Sequence, residues 1–312
     1  MTKKLKKIFT LTNNVSNRID TYVSSEFEEF SRSQVQSFVK NGLILVNRRK
    51  VKPSYKLNNG DVIEILYEDE EEIKIIPENI PLDIRWENDA MLVVNKPKNM
   101  LTHPTTKELT GTLVNALLYK YGYEGLSDIN GSMRPGILHR LDRNTSGLLM
   151  VAKNNFAHEN LVEQIKAKTA KRNYLAVVSG VFENRSGTIS SNIARHKTKP
   201  EKYTISDDGK PSVTHYKVLE QFDKFAFVEL ELETGRTHQI RVHLSSIGHA
   251  IVNDSLYGGQ KIKVKTTEQV LQAYKLSFLN PVNDERINIA ISQDNDIIKV
   301  LNKLRSERWK FF

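Results

Sequence analysis

"KFAFVELELETGRTHQIRVHL", residues 224–244, decides how the larger part of this chain is built. Its first half, Phe225 to Leu232, is an apolar run that passes into alternation, the signature of a strand with at least one buried face. Gly235 marks a turn. Beyond it, Ile240, Val242 and Leu244 alternate with Arg241 and His243. A second strand is therefore expected, with the three aliphatic side chains inward and Arg241 and His243 on the opposite face. Arg236 stands at the mouth of that strand, where a cation can reach a carboxylate from another segment.

The flanking sequence repeats the theme. "AMLVVNKP" (90–97), "NYLAVVSG" (173–180) and "THYKVLEQF" (214–222) read as strands. Helical spacing is confined to "TLVNALLYKYG" (112–122), "FAHENLVEQIKAK" (156–168) and the tail "NDIIKVLNKLRSERW" (295–309), where Ile297, Val300, Leu301 and Leu304 share one face. Many strands in series with few helices predict an α+β domain, with a mixed, mostly antiparallel sheet flanked by helices, from about residue 85 to 312.

The residues ahead of it have a different character. "SRSQVQSFVKNG" (31–42) opens with Ser31 and Gln34 at capping-box spacing and closes on Asn41-Gly42. "LILVN" and "GDVIEIL" read as strands joined through the basic turn "NRRKV", and "NRIDTYV" supplies a packing helix. This gives a small α+β unit over 16–67, preceded by a basic segment, 1–15, and followed by an acidic linker, 68–84. Charge follows the same division: residues 1–57 hold 12 Lys/Arg against 4 Asp/Glu, residues 58–90 hold 2 against 11. The net charge is +9, a balance that suits a polyanionic partner. The chain has no cysteine, which excludes disulfides and thiolate chemistry. No apolar run approaches the roughly 20 residues of a membrane span, and "MTKKLKKIFT" lacks the features of a signal peptide. A cytoplasmic protein without membrane contact is expected.

The sharpest chemical signal is "GILHRLDRNTSG", residues 136–147, with Asp142 between Arg140 and Arg143. Neighbouring guanidinium groups favour an ionised carboxylate, which suits a nucleophile or base rather than a general acid. A structural Asp–Arg pair closing a turn is the plainer alternative on spacing alone. Tyr174 opens an apolar strand after the basic "KTAKR". It reads either as a half-buried ring or as one that stacks on a base or moves a proton. His238, His243 and His249 fit no metal-ligand spacing, so no metal is expected. Ser146, His139 and Asp142 crowd together without the strained elbow of a hydrolase, and no Gly-rich phosphate loop follows a strand.

Two resemblances organise these pieces. "RID…SRSQVQSFVKNGLILVNRRKVKPSYKLNNGDVIEI" resembles the S4 RNA-binding domain, which implies RNA contacts from Arg18, Arg32, Lys40, Arg48 and Arg49. "LVVNKPKNMLTHP", "RPGILHRLDRNTSGLLMVAK", "KRNYLAVVSG" and "LETGRTHQIRVHL" together resemble the RluA-type family of RNA pseudouridine synthases. The S4-like head, "IARHKTK" and "GKPSVTHYKVLE" point toward its RluD branch, which modifies large-subunit ribosomal RNA. The resemblance implies the pseudouridine synthase fold, Asp142 as the catalytic carboxylate, Arg236 as its ion-pair partner and Tyr174 as the ring against the target base. It also sets His139, Arg140, Asn95 and Lys96 against RNA. An isomerisation of uridine needs no cofactor. The expected partner is ribosomal RNA and the expected state a monomer. A tRNA-acting synthase and a non-catalytic ribosome-assembly factor are the alternatives. Two departures stand off the central motif: "GHAIVND", with Ala250 and Asn253 where Pro and Gly are usual, and Lys98-Asn99, where a small residue and Gly are common. Asn tolerates a left-handed backbone better than most residues, so the turn at 253 is expected to survive.

Overall fold

The structure is a computed structural model that describes residues 4–12, 17–27, 30–67, 75–266 and 268–308. The chain divides into two units, one ending at residue 73 and the other beginning at 74.

The first unit contains β1 (Lys4–Thr10), α1 (Ile19–Glu26), α2 (Arg32–Asn41), β2 (Ile44–Val46) and β3 (Val62–Tyr67). Ser31 caps α2: its hydroxyl accepts from Gln34 N–H, and Gln34 Oε1 accepts from Ser31 N–H at 2.8 Å. Gly42 ends the helix at φ 69, a left-handed position that favours glycine. Ile19, Val23, Val35, Val39, Ile44 and Ile63 close the core between the two helices and the sheet. The sheet runs β1-β3-β2. The basic segment expected to stand apart at residues 1–15 instead supplies β1, paired antiparallel along β3 from Lys4–Tyr67 to Thr10–Val62. Residues 1–3 and 13–16 lie outside the described residues.

The second unit starts earlier than the charge pattern suggested. Residues 68–74 of the acidic stretch lie outside the described residues. From Ile75 onward the chain is packed: Ile75 is buried, and Ile80, Leu82 and Ile84 lie against the same core. Ile75 N–H donates to the Tyr123 hydroxyl at 3.1 Å. Four spaced aliphatic residues outweigh the prolines and carboxylates between them, so residues 75–84 are part of this unit rather than a linker.

Its elements are β4 (Ile84–Glu87), β5 (Met91–Lys96), α3 (Leu113–Tyr121), β6 (Ser146–Ala152), α4 (Asn155–Lys166), β7 (Lys171–Ser179), β8 (Ser186–Arg195), β9 (Tyr203–Ile205), β10 (Lys210–Gln221), β11 (Phe225–Leu232), α5 (Gln239–Ser246), β12 (Leu271–Leu279), β13 (Arg286–Ala290) and α6 (Asn295–Arg308). One sheet takes the order β4-β5-β6-β12-β7-β11-β10-β8-β9, with β13 paired to β12. The pairs are antiparallel except β6 with β12. At that parallel seam Gly147 faces Ala273. It holds φ 120, and a Cβ there would lie 2.0 Å from the Ala273 carbonyl oxygen. Only glycine fits. Ile297, Val300, Leu301 and Leu304 of α6 are buried together, as the tail's helical spacing predicts.

The stretch read as a second strand, "THQIRVHL", is a helix, α5. The alternation misled because every residue from Gln239 to Leu244 is buried, so no polar face marks a helical period. The usual start signal is missing too. His238 occupies the N-cap position at φ 56, with no side-chain cap bond. Arg241 and His243 are consequently inside the protein rather than on an outer strand face.

Candidate active site

The loop carrying Asp142 is held from three sides. The Thr102 hydroxyl donates to Leu141 O at 2.9 Å, and Leu141 N–H points back to the same hydroxyl oxygen at 3.2 Å. Thr145 N–H donates to Asp142 O. Lys96, at the end of β5, is fully buried and donates from Nζ to Pro97 O, Met100 O and Arg143 O. Burial pulls its pKa down to about 7, against the opposing pull of Asp142. Lys96 is therefore an internal brace for the loop, not the RNA contact expected of it. Asn95 is likewise engaged locally, donating to Asp83 Oδ2 at 2.8 Å.

Asp142 faces a cleft of about 370 Å³. Tyr174, Arg236, His139, Arg140, His238, Arg172 and Arg241 also line it. The structure thus gathers five of the expected residues, Asp142, Tyr174, Arg236, His139 and Arg140, at one place. It corrects the pairing among them. Asp142 Oδ2 accepts from Arg241 Nη1 at 3.1 Å. Arg236 is exposed, and its Nε donates to Pro211 O at 3.1 Å. The helical course of α5 brings the second arginine of the motif to the carboxylate and leaves the first at the rim.

Arg241 is itself fixed. Its Nε and Nη2 bind Asp254 Oδ2 and Oδ1 at 2.7 and 2.9 Å, a bidentate pair that sets the guanidinium plane. The guanidinium carbon lies 4.9 Å from the Tyr257 ring centroid. Asp254 also accepts from Leu256 and Tyr257 N–H. Asp254 follows Asn253, which adopts φ 62, the left-handed turn that the departure in "GHAIVND" permits; Asn99 does the same at φ 61. The Tyr257 hydroxyl accepts from Tyr203 N–H and shares a 2.9 Å hydrogen bond with His238 Nδ1. His238 Nε2 then lies 3.8 Å from Asp142 Oδ2. Burial lowers the His238 pKa despite the neighbouring carboxylates. Among the described residues no donor reaches Asp142 Oδ1.

The other sequence candidates have separate fates. His139 Nε2 accepts from Met150 N–H at 3.1 Å, and burial together with the charge of Arg172 lowers its pKa to about 3. It is a neutral acceptor holding a strand, not a cation for RNA. Arg140 is exposed at the cleft. Arg143, on the other side of Asp142 in sequence, is paired with Glu108. Tyr174 is buried, which pushes its phenol up to about 12 while Arg172 pulls the other way. His243 bonds Ser191, Ser212 and Thr214, and His249 contacts Ser179 O, so the three histidines of the motif go to three different tasks. In the first unit, Arg18 and Arg32 bind the buried Asp20, Arg48 lies 3.5 Å from Glu64, and Lys40 and Arg49 are exposed.

Sequence reasoning missed Arg241, Asp254, Tyr257 and Arg172. Arg241 hid behind the strand reading of 237–244, and no spacing or charge pattern singled out Asp254 or Tyr257. Arg172 had a signal, a basic residue two positions before Tyr174 and therefore on the same face of β7.

Comparisons with known proteins identify the family. Residues 90–246 match the family described as RNA pseudouridylate synthase, and residues 17–63 match the S4 domain. An uncharacterised RNA pseudouridine synthase of Bacillus subtilis is 44% identical over 290 residues, covering 93% of this chain and 95% of its own. Ribosomal large subunit pseudouridine synthase D of Haemophilus ducreyi is 36% identical over 307 residues, covering 94% and 93%. The solved structure of human RNA pseudouridylate synthase domain containing 1 superposes with a TM-score of 0.54 at 27% identity, covering 73% of this chain and 96% of that one. No described helix is long and apolar enough to cross a membrane. With matches this extensive in sequence and fold, the chain belongs to the RNA pseudouridylate synthase family, as an RNA pseudouridine synthase of the RluA/RluD type that carries an S4 domain.

Proposed function

We propose that this enzyme converts uridine to pseudouridine in large-subunit (23S) ribosomal RNA, with Asp142 as the catalytic carboxylate. The carrying observation is the state of that carboxylate. One oxygen is held by Arg241, no donor among the described residues reaches the other, and the residue lines the cleft. A carboxylate fixed in orientation but not saturated is available to a substrate.

The target uridine leaves its stack and enters the cleft, at a cost of a few kcal/mol that contacts to the flipped base and the RNA backbone offset. Asp142 then attacks C1′ or removes the C2′ proton; both openings use the same anion and both break the N1–C1′ bond. The uracil turns, C5 bonds to C1′, the C5 proton leaves and N1 regains a proton. Tyr174 serves as the surface against which the base stacks. Its raised pKa keeps the phenol protonated near neutrality, which argues against a role as the base for the C5 proton. Arg241 orients Asp142. Arg236 and Arg140, exposed at the cleft, meet the RNA backbone. Lys40 and Arg49 of the S4 unit add phosphate contacts that position without reading sequence. The ribosomal target rests on the relatives named large subunit pseudouridine synthase D.

The test is tritium release from RNA labelled at uridine C5, with site mapping, on large-subunit rRNA and on tRNA in parallel. Release from defined sites of the ribosomal RNA, and none from tRNA, is expected. Release from tRNA alone contradicts the assignment of substrate.

A further inference from the structure

Arg172 stands out among the cations of the cleft. Arg241 is paired with two aspartates, and Arg140 and Arg236 are open to solvent. Arg172 is 3% exposed, yet among the described residues no carboxylate pairs with it and no acceptor takes a hydrogen bond from it. Its Nε is buried with no partner. A buried guanidinium without an anion is strongly unfavourable. Its surroundings preserve it nonetheless. Gly235, in the turn before α5, leaves the space the guanidinium fills: a Cβ there would lie 2.7 Å from Arg172 Nη1. Gly235, Arg172 and Tyr174 all line the same cleft.

We propose that Arg172 is a catalytic residue whose guanidinium receives the negative charge of the uracil as the N1–C1′ bond breaks. This rests on the reading of the Asp142 cleft given above. When that bond opens, its electron pair stays with the base and spreads over N1 and the carbonyl oxygens O2 and O4. The pair that forms C5–C1′ comes from the ring, the C5 proton departs and N1 takes one up, so the reaction balances without a co-reactant. Throughout the interval the detached base is an anion. An unpaired cation already in place is suited to that charge because no solvent has to reorganise to meet it. The occupant is the base rather than a phosphate. Arg172 lies beside Tyr174 on one face of β7 and is almost wholly buried, so only a group that enters the cleft reaches it. The RNA backbone meets the exposed Arg140 and Arg236 first.

The experiment compares Arg172→Gln, Arg172→Lys and Gly235→Ala with the unaltered enzyme in single-turnover reactions. The substrates are RNAs bearing uridine or 5-fluorouridine at the target, with C-glycoside formation read by digestion and chromatography; with 5-fluorouridine the C5–C1′ bond forms without loss from C5, and water adding across N1=C6 gives the hydrated C-glycoside that is counted as product. Fluorine stabilises the anionic base and lowers the demand on the cation. Arg172→Gln is expected to slow the uridine reaction by about 100-fold or more. That loss should shrink at least tenfold with 5-fluorouridine, while RNA affinity stays within about threefold. Arg172→Lys should retain part of the rate. Gly235→Ala, which displaces only the tip of Arg172, should show a smaller loss with the same dependence on the base. It keeps the test decisive if Arg172→Gln does not fold. Equal losses on both RNAs, or no loss, overturn the proposal. Activity in Asp142→Asn would instead remove the reading of the cleft on which it rests, so the two failures are distinguishable.

Discussion

Asp20 and Asp142 are both carboxylates set among arginines, and the structure uses them in opposite ways. Asp20, in the first unit, is fully buried and saturated. Arg18 binds both its oxygens at 3.0 Å, Arg32 binds Oδ2 at 3.3 Å and Gln36 at 2.7 Å. Burial would raise its pKa, but the bonds from Gln36 and Arg18 and the charges of Arg18 and Arg32 prevail and hold it down at about 2. Asp142 lines the cleft and, among the described residues, accepts one close side-chain bond, from Arg241, with no donor to its other oxygen. Proximity to arginine in sequence does not separate these cases. The number of lone pairs left unoccupied does. A saturated carboxylate ties elements together; a carboxylate fixed at one point and open at another can react.

The comparison can be broken most forcefully at Arg241. Arg241→Met strips Asp142 of its partner and leaves the buried Asp254 unpaired. We expect a loss of about 3–5 kcal/mol in thermal or denaturant unfolding of the second unit and a rate loss on the order of 100-fold or more. Near-native stability with full activity would show that Arg241 does not organise the site.

Asp20→Ala should lower the stability of the S4 unit by about 1–3 kcal/mol by removing the acceptor for Gln36 and both arginines. The second unit should melt unchanged, and the chemical step on bound RNA should keep its rate. Slowed chemistry at saturating RNA would contradict a purely structural Asp20.

The same carboxylate predicts a pH dependence. Its folded pKa lies below the unfolded one, so its stabilisation is complete above about pH 5 and drains away as pH falls through about 4 toward 2. Denaturant midpoints of the S4 unit should decline over that window, and the decline should flatten in Asp20→Asn. An unaltered acid limb in the variant would assign the effect to other groups.

The smallest effect is expected at Arg236. Because its side chain is exposed and, among the described residues, donates only to Pro211 O, Arg236→Ala should change stability by less than about 0.5 kcal/mol. Its effect on RNA affinity should exceed its effect on the single-turnover rate. A rate loss matching that of Arg241→Met would restore Arg236 as the central arginine.

Much of this architecture is legible in the sequence where local signals and burial agree. The capping box at Ser31 and the apolar face of α6 reproduce their elements because one side of each helix meets solvent. Legibility fails where an element is buried on all sides. In α5 the apolar residues alternate like a strand and His238 replaces a conventional cap, so the reading sent Arg241 outward and promoted Arg236. Lys96 shows the same limit in one residue. A lysine after "MLVVN" reads as a surface charge, but three carbonyl groups in the interior claim its ammonium. The site's composition was readable, since Asp142, Tyr174 and Arg236 do share a cleft. Which arginine touches the carboxylate was not, because that depends on a helical turn the residue pattern conceals.

The most direct test sets Asp142→Asn beside Asp20→Asn in one assay: single-turnover tritium release from uridine C5 in bound large-subunit rRNA, with melting curves of both proteins. The account predicts that Asp142→Asn melts like the parent, binds RNA within a few-fold and forms no product, a rate loss of at least about 10³-fold. Asp20→Asn should melt earlier and still turn over bound RNA. Measurable product from Asp142→Asn, or loss of chemistry in Asp20→Asn at saturating RNA, would contradict it.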